Sequence, residues 1–227
     1  MSEYLVIVLL GALVVLDTTV AGQFMVSQPL VSAALAGFFL GELESAIFVG
    51  AIMQVMWLKL IPAGGTIFLN GNLGTLTAVS VLALSAGTFP YPIEALQFTV
   101  IIFGIISSYI FGIFTYKKRI FNQLLVSRAH DSLRKGKLFQ FQLCHFSGIF
   151  ITGFAGSIIT LIFTLLGTWI VSHLPHFYYS SLESYFSYGL YAFLGIGMGT
   201  VFSMAWSKKS WYYPLAGLCA GLWFVKF

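Results

Sequence analysis

The sequence predicts an all-α fold, a polytopic membrane helical bundle in which some helical segments are re-entrant or broken. Hydrophobic residues make up 59% of the 227-residue chain and charged residues only 8%, whereas about 25% of an average soluble domain is charged. Apolar runs follow one another along the whole chain. A polar, glycine-rich stretch at residues 61–75 nevertheless interrupts them. These three observations predict helices that cross a bilayer around a broken segment.

Eight apolar runs are candidates for the helices. They cover residues 4–16, 29–40, 46–60, 73–84, 96–115, 149–171, 188–206 and 211–225. A crossing needs about 20 residues, or about 17 at the short end. The runs 96–115, 149–171 and 188–206 meet that length, but 29–40 and 73–84 do not. Short runs flanked by Gly and Pro are typical of half-helices that enter the bilayer and turn back.

The chain is predicted to be one membrane domain, residues 1–227. Its hydrophilic stretches reach only about 30 residues, which leaves no room for a soluble catalytic domain. Met1-Ser2-Glu3 carries an acid where a signal peptide carries lysines, so we expect run 4–16 to be retained. The sequence holds no zinc-protease, nucleophile-elbow or Walker motif. We therefore expect no enzyme activity, no cofactor or metal, and no nucleic-acid partner.

Basic residues are concentrated in one segment, residues 116–140. It holds seven of the eleven Lys and Arg residues, namely Lys117, Lys118, Arg119, Arg128, Arg134, Lys135 and Lys137. By the positive-inside rule we expect this segment to be a cytoplasmic loop and residues 172–187, which lack Lys and Arg, to be outside. The basic residues either serve topology alone, or residues 122–138 form an amphipathic helix at the membrane surface or a dock for a cytosolic partner.

Polar side chains inside apolar sequence identify a candidate solute site. Such groups are costly in a bilayer and usually face the bundle interior or a cavity. Irregular backbone is likewise tolerated only where protein buries it or where it lines a watery cavity. Amide side chains both donate and accept hydrogen bonds, which suits the hydroxyls of a neutral sugar. The candidates are Asp17, Gln23, Gln54 and Asn70; Trp57 could add an apolar face, and the predicted helix breakers are Pro62, Gly64, Gly65, Gly71 and Gly74.

Each candidate also has a structural explanation. Gln54 could make only an interhelical hydrogen bond. Alternatively, Asp17 has no role beyond capping the segment that follows it, through Thr18 and Thr19. Asn70 is the hardest to explain structurally, although Asn-Gly is also a favoured turn pair. Both interpretations stay open on the sequence alone.

The sequence carries a family resemblance, and its first seventy-five residues hold most of the specific motifs. The motifs are L-D-T-T, G-Q-F-M-V-S-Q-P-L-V, A-G-F-F-L-G-E, M-Q-V-M-W-L and I-P-A-G-G-T-I-F-L-N-G, with K-K-R-I-F-N-Q-L-L in the basic segment. Together they closely resemble the IIC subunit of the mannose/sorbose-type phosphotransferase system. The resemblance extends over roughly residues 5–217.

This resemblance implies a sugar-translocating permease subunit of the bacterial inner (cytoplasmic) membrane, which moves a hexose or hexosamine. The implied partners are a IID membrane subunit, assembled as a trimer of IIC–IID heterodimers, and soluble IIA and IIB components that phosphorylate the sugar. An elevator-type motion against a fixed scaffold is also implied. By position, Asp17, Gln23, Gln54 and Asn70 match places where the family has sugar-facing polar groups.

The chain departs from the family pattern at Gln28, at Gln54 and at Leu69-Asn70. Many members have Arg at the position of Gln28 and Pro-Asp in place of Leu69-Asn70, and some have Glu at the position of Gln54. The sequence also stops at Phe227, where we expect members to continue through another apolar segment. These departures motivate an alternative function, a degenerate IIC homologue that does not transport and acts as a membrane anchor or regulator. A transporter independent of phosphoryl transfer is a third possibility.

Overall fold

The computed structural model describes residues 2–59, 69–89, 91–174 and 183–205. Within these ranges the chain is helical and contains no strand. The helices are α1 (Glu3–Thr19), α2 (Pro29–Leu40), α3 (Leu43–Trp57), α4 (Gly71–Ser85), α5 (Ile93–Arg134), α6 (Leu138–His173) and α7 (Glu183–Ala205). The predicted all-α membrane fold is therefore confirmed.

Helix length separates two classes of helix. In the described ranges, three helices are long and apolar enough to cross a membrane: α5, α6 and residues Tyr185–Met204 of α7. α5 and α6 contain the runs 96–115 and 149–171, and α7 contains the run 188–206 as far as Ala205. Helices α2, α3 and α4 have 12, 15 and 15 residues, so they measure about 18–23 Å against a hydrocarbon core of about 30 Å. The run 211–225 lies outside the described residues.

Helices α2 and α3 form a short hairpin. Pro29 stands at the start of α2, where its missing N–H costs no hydrogen bond. Gly41 ends α2 with φ of 87°, a left-handed conformation that favours glycine. Ala33 lies against Gly50 of α3, which lets the two backbones approach closely. The boundaries predicted for this run, residues 29–40, are those of α2.

Helix α4 is the central helix of the bundle. It packs against α1, α2, α3, α5 and α6 and is buried along almost all of its length. Gly74 lies directly against Ser108 and Gly104 of α5, where a side chain would have no room. The prediction that Gly71 and Gly74 break a helix is wrong, because both lie in the first turn of α4. Small residues here serve close helix packing instead.

Helices α5 and α6 form a long antiparallel hairpin that includes the basic segment. α5 continues past the end of its apolar run at Thr115 as far as Arg134, and α6 begins at Leu138. The turn between them is closed by Gly136, with φ of 70°. The expected loop at residues 116–140 is thus two helix ends and a short turn. Residues 116–134 contain no Gly or Pro that would stop the helix.

Helix α1 packs antiparallel to α6. A Cβ atom at Gly156 of α6 would come within 2.9 Å of the carbonyl oxygen of Gly11, so the helices cross at small residues. The hydroxyl of Ser157 donates to the carbonyl oxygen of Val8 over 2.8 Å. Near the C-terminal end of α1, Leu16 lies against Gly153. The C-terminal end of α1 therefore lies towards the α5–α6 turn.

Candidate functional site

A cavity of about 470 Å³ lies where four helix ends meet. The C-terminal ends of α1 and α3 and the N-terminal ends of α2 and α4 surround it. It is lined by Asp17, Thr18, Gln23, Met25, Ser27, Gln28, Pro29, Gln54, Trp57, Leu58, Leu69, Asn70, Gly71 and Asn72. The structure thus brings all four predicted site residues together. Of the predicted helix breakers, Pro62, Gly64 and Gly65 lie outside the described residues.

Asp17 organises the turn between α1 and α2. Its carboxylate accepts hydrogen bonds from the backbone N–H groups of Phe24 and Ser27, over 2.7 and 2.8 Å. Bonds from two N–H groups to one carboxylate are strong because the acceptor is charged. The alternative that Asp17 only caps the segment that follows it, through Thr18 and Thr19, is wrong. The hydroxyls of these two residues donate to carbonyl oxygens of α1 instead. Asp17 therefore fixes the wall of the cavity that residues 20–28 form.

Gln54 joins α3 to the start of α2. Its side-chain oxygen accepts from the backbone N–H of Leu30 over 3.2 Å, and its nitrogen donates to the side-chain oxygen of Gln28 over 3.1 Å. The first bond satisfies an N–H group that the first turn of a helix leaves free. The expected interhelical hydrogen bond is present, and the same side chain also lines the cavity.

Asn70 caps α4 and ties it to α5. Its side-chain oxygen accepts from the backbone N–H of Leu73 over 3.2 Å, as an N-cap residue does. Its side-chain nitrogen donates to the hydroxyl of Thr115 over 3.1 Å, and its backbone N–H donates to the carbonyl oxygen of Ser108 over 2.9 Å. Asn70 was the hardest residue to explain structurally from sequence, yet it has a complete structural role.

Gln23 differs from the other three because it is exposed and no hydrogen bond joins its side chain to the described residues. Its φ is 51° and that of Met25 is 64°. Such values are uncommon for residues other than glycine, because they cost free energy and persist only where the surroundings impose them. The two hydrogen bonds to Asp17 supply that constraint. Gln23 is thus held at the cavity in a conformation that the free chain disfavours.

Trp57 forms an apolar wall of the cavity. A Cβ atom at Gly71 would lie 2.5 Å from the indole ring, so the ring packs directly on the backbone at the start of α4. The indole Nε1 is buried and has no hydrogen-bond partner among the described residues. An aromatic face next to amide groups suits a ligand with both C–H and O–H surfaces.

Several lining residues were not among the four predicted. Asn72 donates its side-chain N–H to the hydroxyl of Thr18 over 3.4 Å, which joins α4 to α1 at the cavity. Its signal was available, since Asn72 belongs to the same polar stretch as Asn70. Thr115, which contacts Asn70 but does not line the cavity, had no such signal. It is one hydroxyl in a long apolar run, and only the packing of α4 on α5 brings it to Asn70.

The position of the cavity along the bundle follows from these contacts. Thr115, which contacts Asn70, lies only two residues before Lys117, the first residue of the basic cluster. On the orientation that the charge distribution predicts, the cavity therefore lies at the cytoplasmic end of the bundle.

The lining of the cavity is polar and carries little charge. Among its described lining residues, Asp17 carries the one negative charge and none carries a positive charge. Residues 60–68, which lie outside the described ranges, contain no ionisable side chain in their sequence. In the described parts of the chain, no group of three His, Cys, Asp or Glu residues could hold a metal ion. The arrangement can hydrogen-bond a polar, uncharged ligand.

Comparisons with known proteins agree with the helical architecture. A solved structure described as "Structure of membrane protein" matches with a TM-score of 0.70 at 15% identity, over 99% of this chain and 86% of that chain. At this identity the likeness shows a shared fold. No curated protein matches the chain.

The comparison with protein families is more specific. The model of the family described as the sorbose-specific IIC component of the phosphotransferase system matches residues 1–224. The matched range includes the motifs that carried the resemblance and the residues around the cavity. The apolar helices agree with this match. The chain belongs to the sorbose-specific IIC family of the phosphotransferase system and is a membrane permease subunit for sugars.

Proposed function

We propose that the chain binds and translocates a hexose or hexosamine, and that the cavity between the four helix ends is the sugar site. The observation that carries this proposal is that Asp17, Gln23, Gln54 and Asn70 all line one cavity. Its volume lies within the range of about 300–1,000 Å³ that is typical of small-ligand pockets.

The polar groups of the cavity favour an uncharged, hydroxyl-rich ligand. Gln23 has no other partner among the described residues, so both its oxygen and its N–H groups are available. Trp57 adds an aromatic wall for the C–H face of a sugar ring. A second carboxylate or a cation, which a charged substrate would need, is missing from the described lining.

The location of the cavity supports coupling to phosphorylation. A sugar bound near Thr115 would lie close to the cytoplasmic face, where soluble IIA and IIB components could reach it. The family membership supports a IID partner subunit, a trimer of IIC–IID heterodimers and the bacterial inner membrane as location. The short helices α2–α4, which hold most of the site, are the part that an elevator-type motion would carry.

The contact between Gln28 and Gln54 favours transport over the degenerate alternative. Family members often carry charges at these positions, and their loss suggested a defective site. In this chain the two amides bond to each other, and the Gln54 side chain also accepts from the backbone N–H of Leu30 in α2. The neutral pair therefore leaves no unpaired charge at these two positions.

Gln23→Ala tests the sugar site most cleanly, because no hydrogen bond joins the Gln23 side chain to another element in the described parts of the chain. The chain and its IID partner are reconstituted in proteoliposomes, and sugar affinity is measured by equilibrium binding. We expect an affinity loss of about tenfold, the effect of one or two lost hydrogen bonds. The matched control is Phe24→Ala, since Phe24 is 81% exposed in the same turn and does not line the cavity.

Uptake in the same vesicles distinguishes the three functions. Uptake that requires the phosphorylated soluble components supports the proposal. Uptake without them indicates a transporter independent of phosphoryl transfer. If no hexose or hexosamine binds or enters, the degenerate homologue is the correct interpretation.

A further inference from the structure

The tip of the α5–α6 hairpin presents an unusual combination of side chains. The tip patch is defined as residues 133–139, with the sequence L-R-K-G-K-L-F. Arg134, Lys135 and Lys137 are exposed cations. Leu133, Leu138 and Phe139 are also exposed, by 46%, 64% and 72%. An apolar centre with a charged rim is the anatomy of a protein-binding surface.

The patch is rigidly built. The backbone N–H of Gly136 donates to the carbonyl oxygen of Leu133 over 2.9 Å, and that of Lys137 donates to the carbonyl oxygen of Ser132 over 2.9 Å. The positive φ of Gly136 closes the turn. A preorganised surface loses little entropy when it binds a partner.

Topology does not explain the patch. Positive-inside orientation requires Lys and Arg near a span, and Lys117, Lys118 and Arg119 already supply them directly after the apolar run. It does not require exposed Leu138 and Phe139. Apolar side chains in such a place are costly in water unless something covers them.

Distance argues against the lipid surface as the partner. Arg134 follows Arg119 by fifteen residues of continuous helix, which is about 22 Å at 1.5 Å per residue. The field of anionic lipids falls off within a Debye length of about 8 Å at physiological ionic strength. The hairpin continues the membrane-spanning parts of α5 and α6 in the same direction. The tip patch therefore lies beyond that field, in the cytoplasm.

The charge of the hairpin defines the chemistry of the partner. Residues 116–140 hold seven basic side chains and a single acidic one, Asp131. We infer that the tip patch is the docking surface for the soluble phosphoryl-donor protein, which would meet it with an acidic rim around an apolar centre. This inference rests on the proposed function, because it assigns the partner that delivers the phosphoryl group to the sugar site.

The docking surface lies on the same helix as the sugar site. Thr115, beside Asn70, and Arg134 are both on α5, separated by nineteen residues or about 28 Å. That separation is the size of a small domain. A donor protein held at the tip could thus extend back along the hairpin to the cavity.

The test measures the KM for phosphorylated IIB protein during sugar phosphorylation by the reconstituted membrane complex. The variants are Lys135→Glu with Lys137→Glu, and separately Leu138→Ser with Phe139→Ser. We expect the donor KM to rise about tenfold in the charge variant, more at low ionic strength, because rim charges act on association. Sugar affinity should stay unchanged. Lys117→Glu is the control, an exposed lysine on the same hairpin outside the patch.

Direct binding separates this inference from the proposed function. Phosphorylated IIB protein is titrated onto the full chain in nanodiscs of neutral lipid. Binding that the tip variants weaken supports the dock, even if the unaltered chain moves no sugar and the proposed function fails. The inference is overturned if the KM for phosphorylated IIB protein and its binding affinity are the same in the unaltered chain and in all variants. It is also overturned by an effect that appears only when phosphatidylglycerol is present, which would make the membrane the partner.

Discussion

The side-chain nitrogen of Gln54 donates a hydrogen bond to the side-chain oxygen of Gln28 over 3.1 Å, and this contact joins the end of α3 to the start of α2. In the family pattern the position of Gln28 often holds Arg, and the position of Gln54 sometimes holds Glu. Because the two side chains touch here, we expect the two departures to be coupled. A neutral amide pair stands where opposite charges would pair.

Gln54→Leu tests the structural part of this contact. The substitution removes the acceptor for the N–H of Leu30 and the donor to Gln28. We expect a loss of about 1 kcal/mol in unfolding free energy, the usual size for interhelical hydrogen bonds in membrane proteins. Thermal unfolding in nanodiscs measures it. Gln54→Glu is the control, since its carboxylate still accepts from Leu30; equal destabilisation by both changes would contradict the assignment.

A double-mutant cycle tests whether the two positions form one unit. Gln28→Arg alone places a cation next to an amide, at a site that the surrounding helices partly bury. Adding Gln54→Glu supplies the opposite charge, and we expect a coupling free energy of about 1 kcal/mol in favour of the double variant. Unfolding of the four proteins of the cycle gives this value directly. Additive effects would show that the positions act independently.

The sequence predicted the elements whose ends carry strong local signals. α2 matches its predicted range because Pro29 starts it and Gly41 ends it. Gly71 and Gly74 were misread because the same residue type that ends a helix also permits close packing between helices. Only the position of α5, which lies against Gly74, decides between these roles. α5 itself was predicted too short, because its apolar run ends long before its helix does.

The candidate site was predictable by residue type but not by role. Asp17, Gln23, Gln54 and Asn70 were selectable because polar groups are rare in apolar sequence. Their partners are far away in the chain: Asn70 contacts Thr115, and Asn72 contacts Thr18. One sequence does not contain these pairings. It therefore could not show that three of the four side chains also hold the cavity together.

Asn70→Leu and Asn70→Asp should differ sharply in their free energy of unfolding. Leucine removes the N-cap of α4, for which we expect a loss of about 1 kcal/mol in unfolding free energy. Aspartate keeps the acceptor for the N–H of Leu73 and can accept from the hydroxyl of Thr115, so we expect near-native stability. Thermal unfolding compares the two, with Thr115→Val as the variant that loses only the contact to α5. A destabilised Asn70→Asp protein would contradict the N-cap assignment.

Asp17→Asn should loosen the turn at residues 20–28. One of the two oxygens that accept from Phe24 and Ser27 becomes an N–H₂ group, which leaves one backbone N–H without an acceptor. We expect faster hydrogen exchange at these two amides, because local opening costs less free energy. Mass spectrometry of exchanged peptides measures the change. Peptides from α6 serve as the internal reference, and unchanged exchange at residues 24–27 would contradict the assignment.

Gly71→Ala should narrow the cavity through Trp57. The new Cβ atom would lie 2.5 Å from the indole ring, so the ring has to move away from α4 and into the space beside it. We expect sugar affinity to fall about tenfold and the fluorescence of Trp57 to shift, while α4 stays helical because alanine favours helices. The matched control is Gly195→Ala, since Gly195 also lies in a helix but has open space around it. If Gly71→Ala leaves sugar affinity at the level of that control, Trp57 does not form a wall of the sugar site.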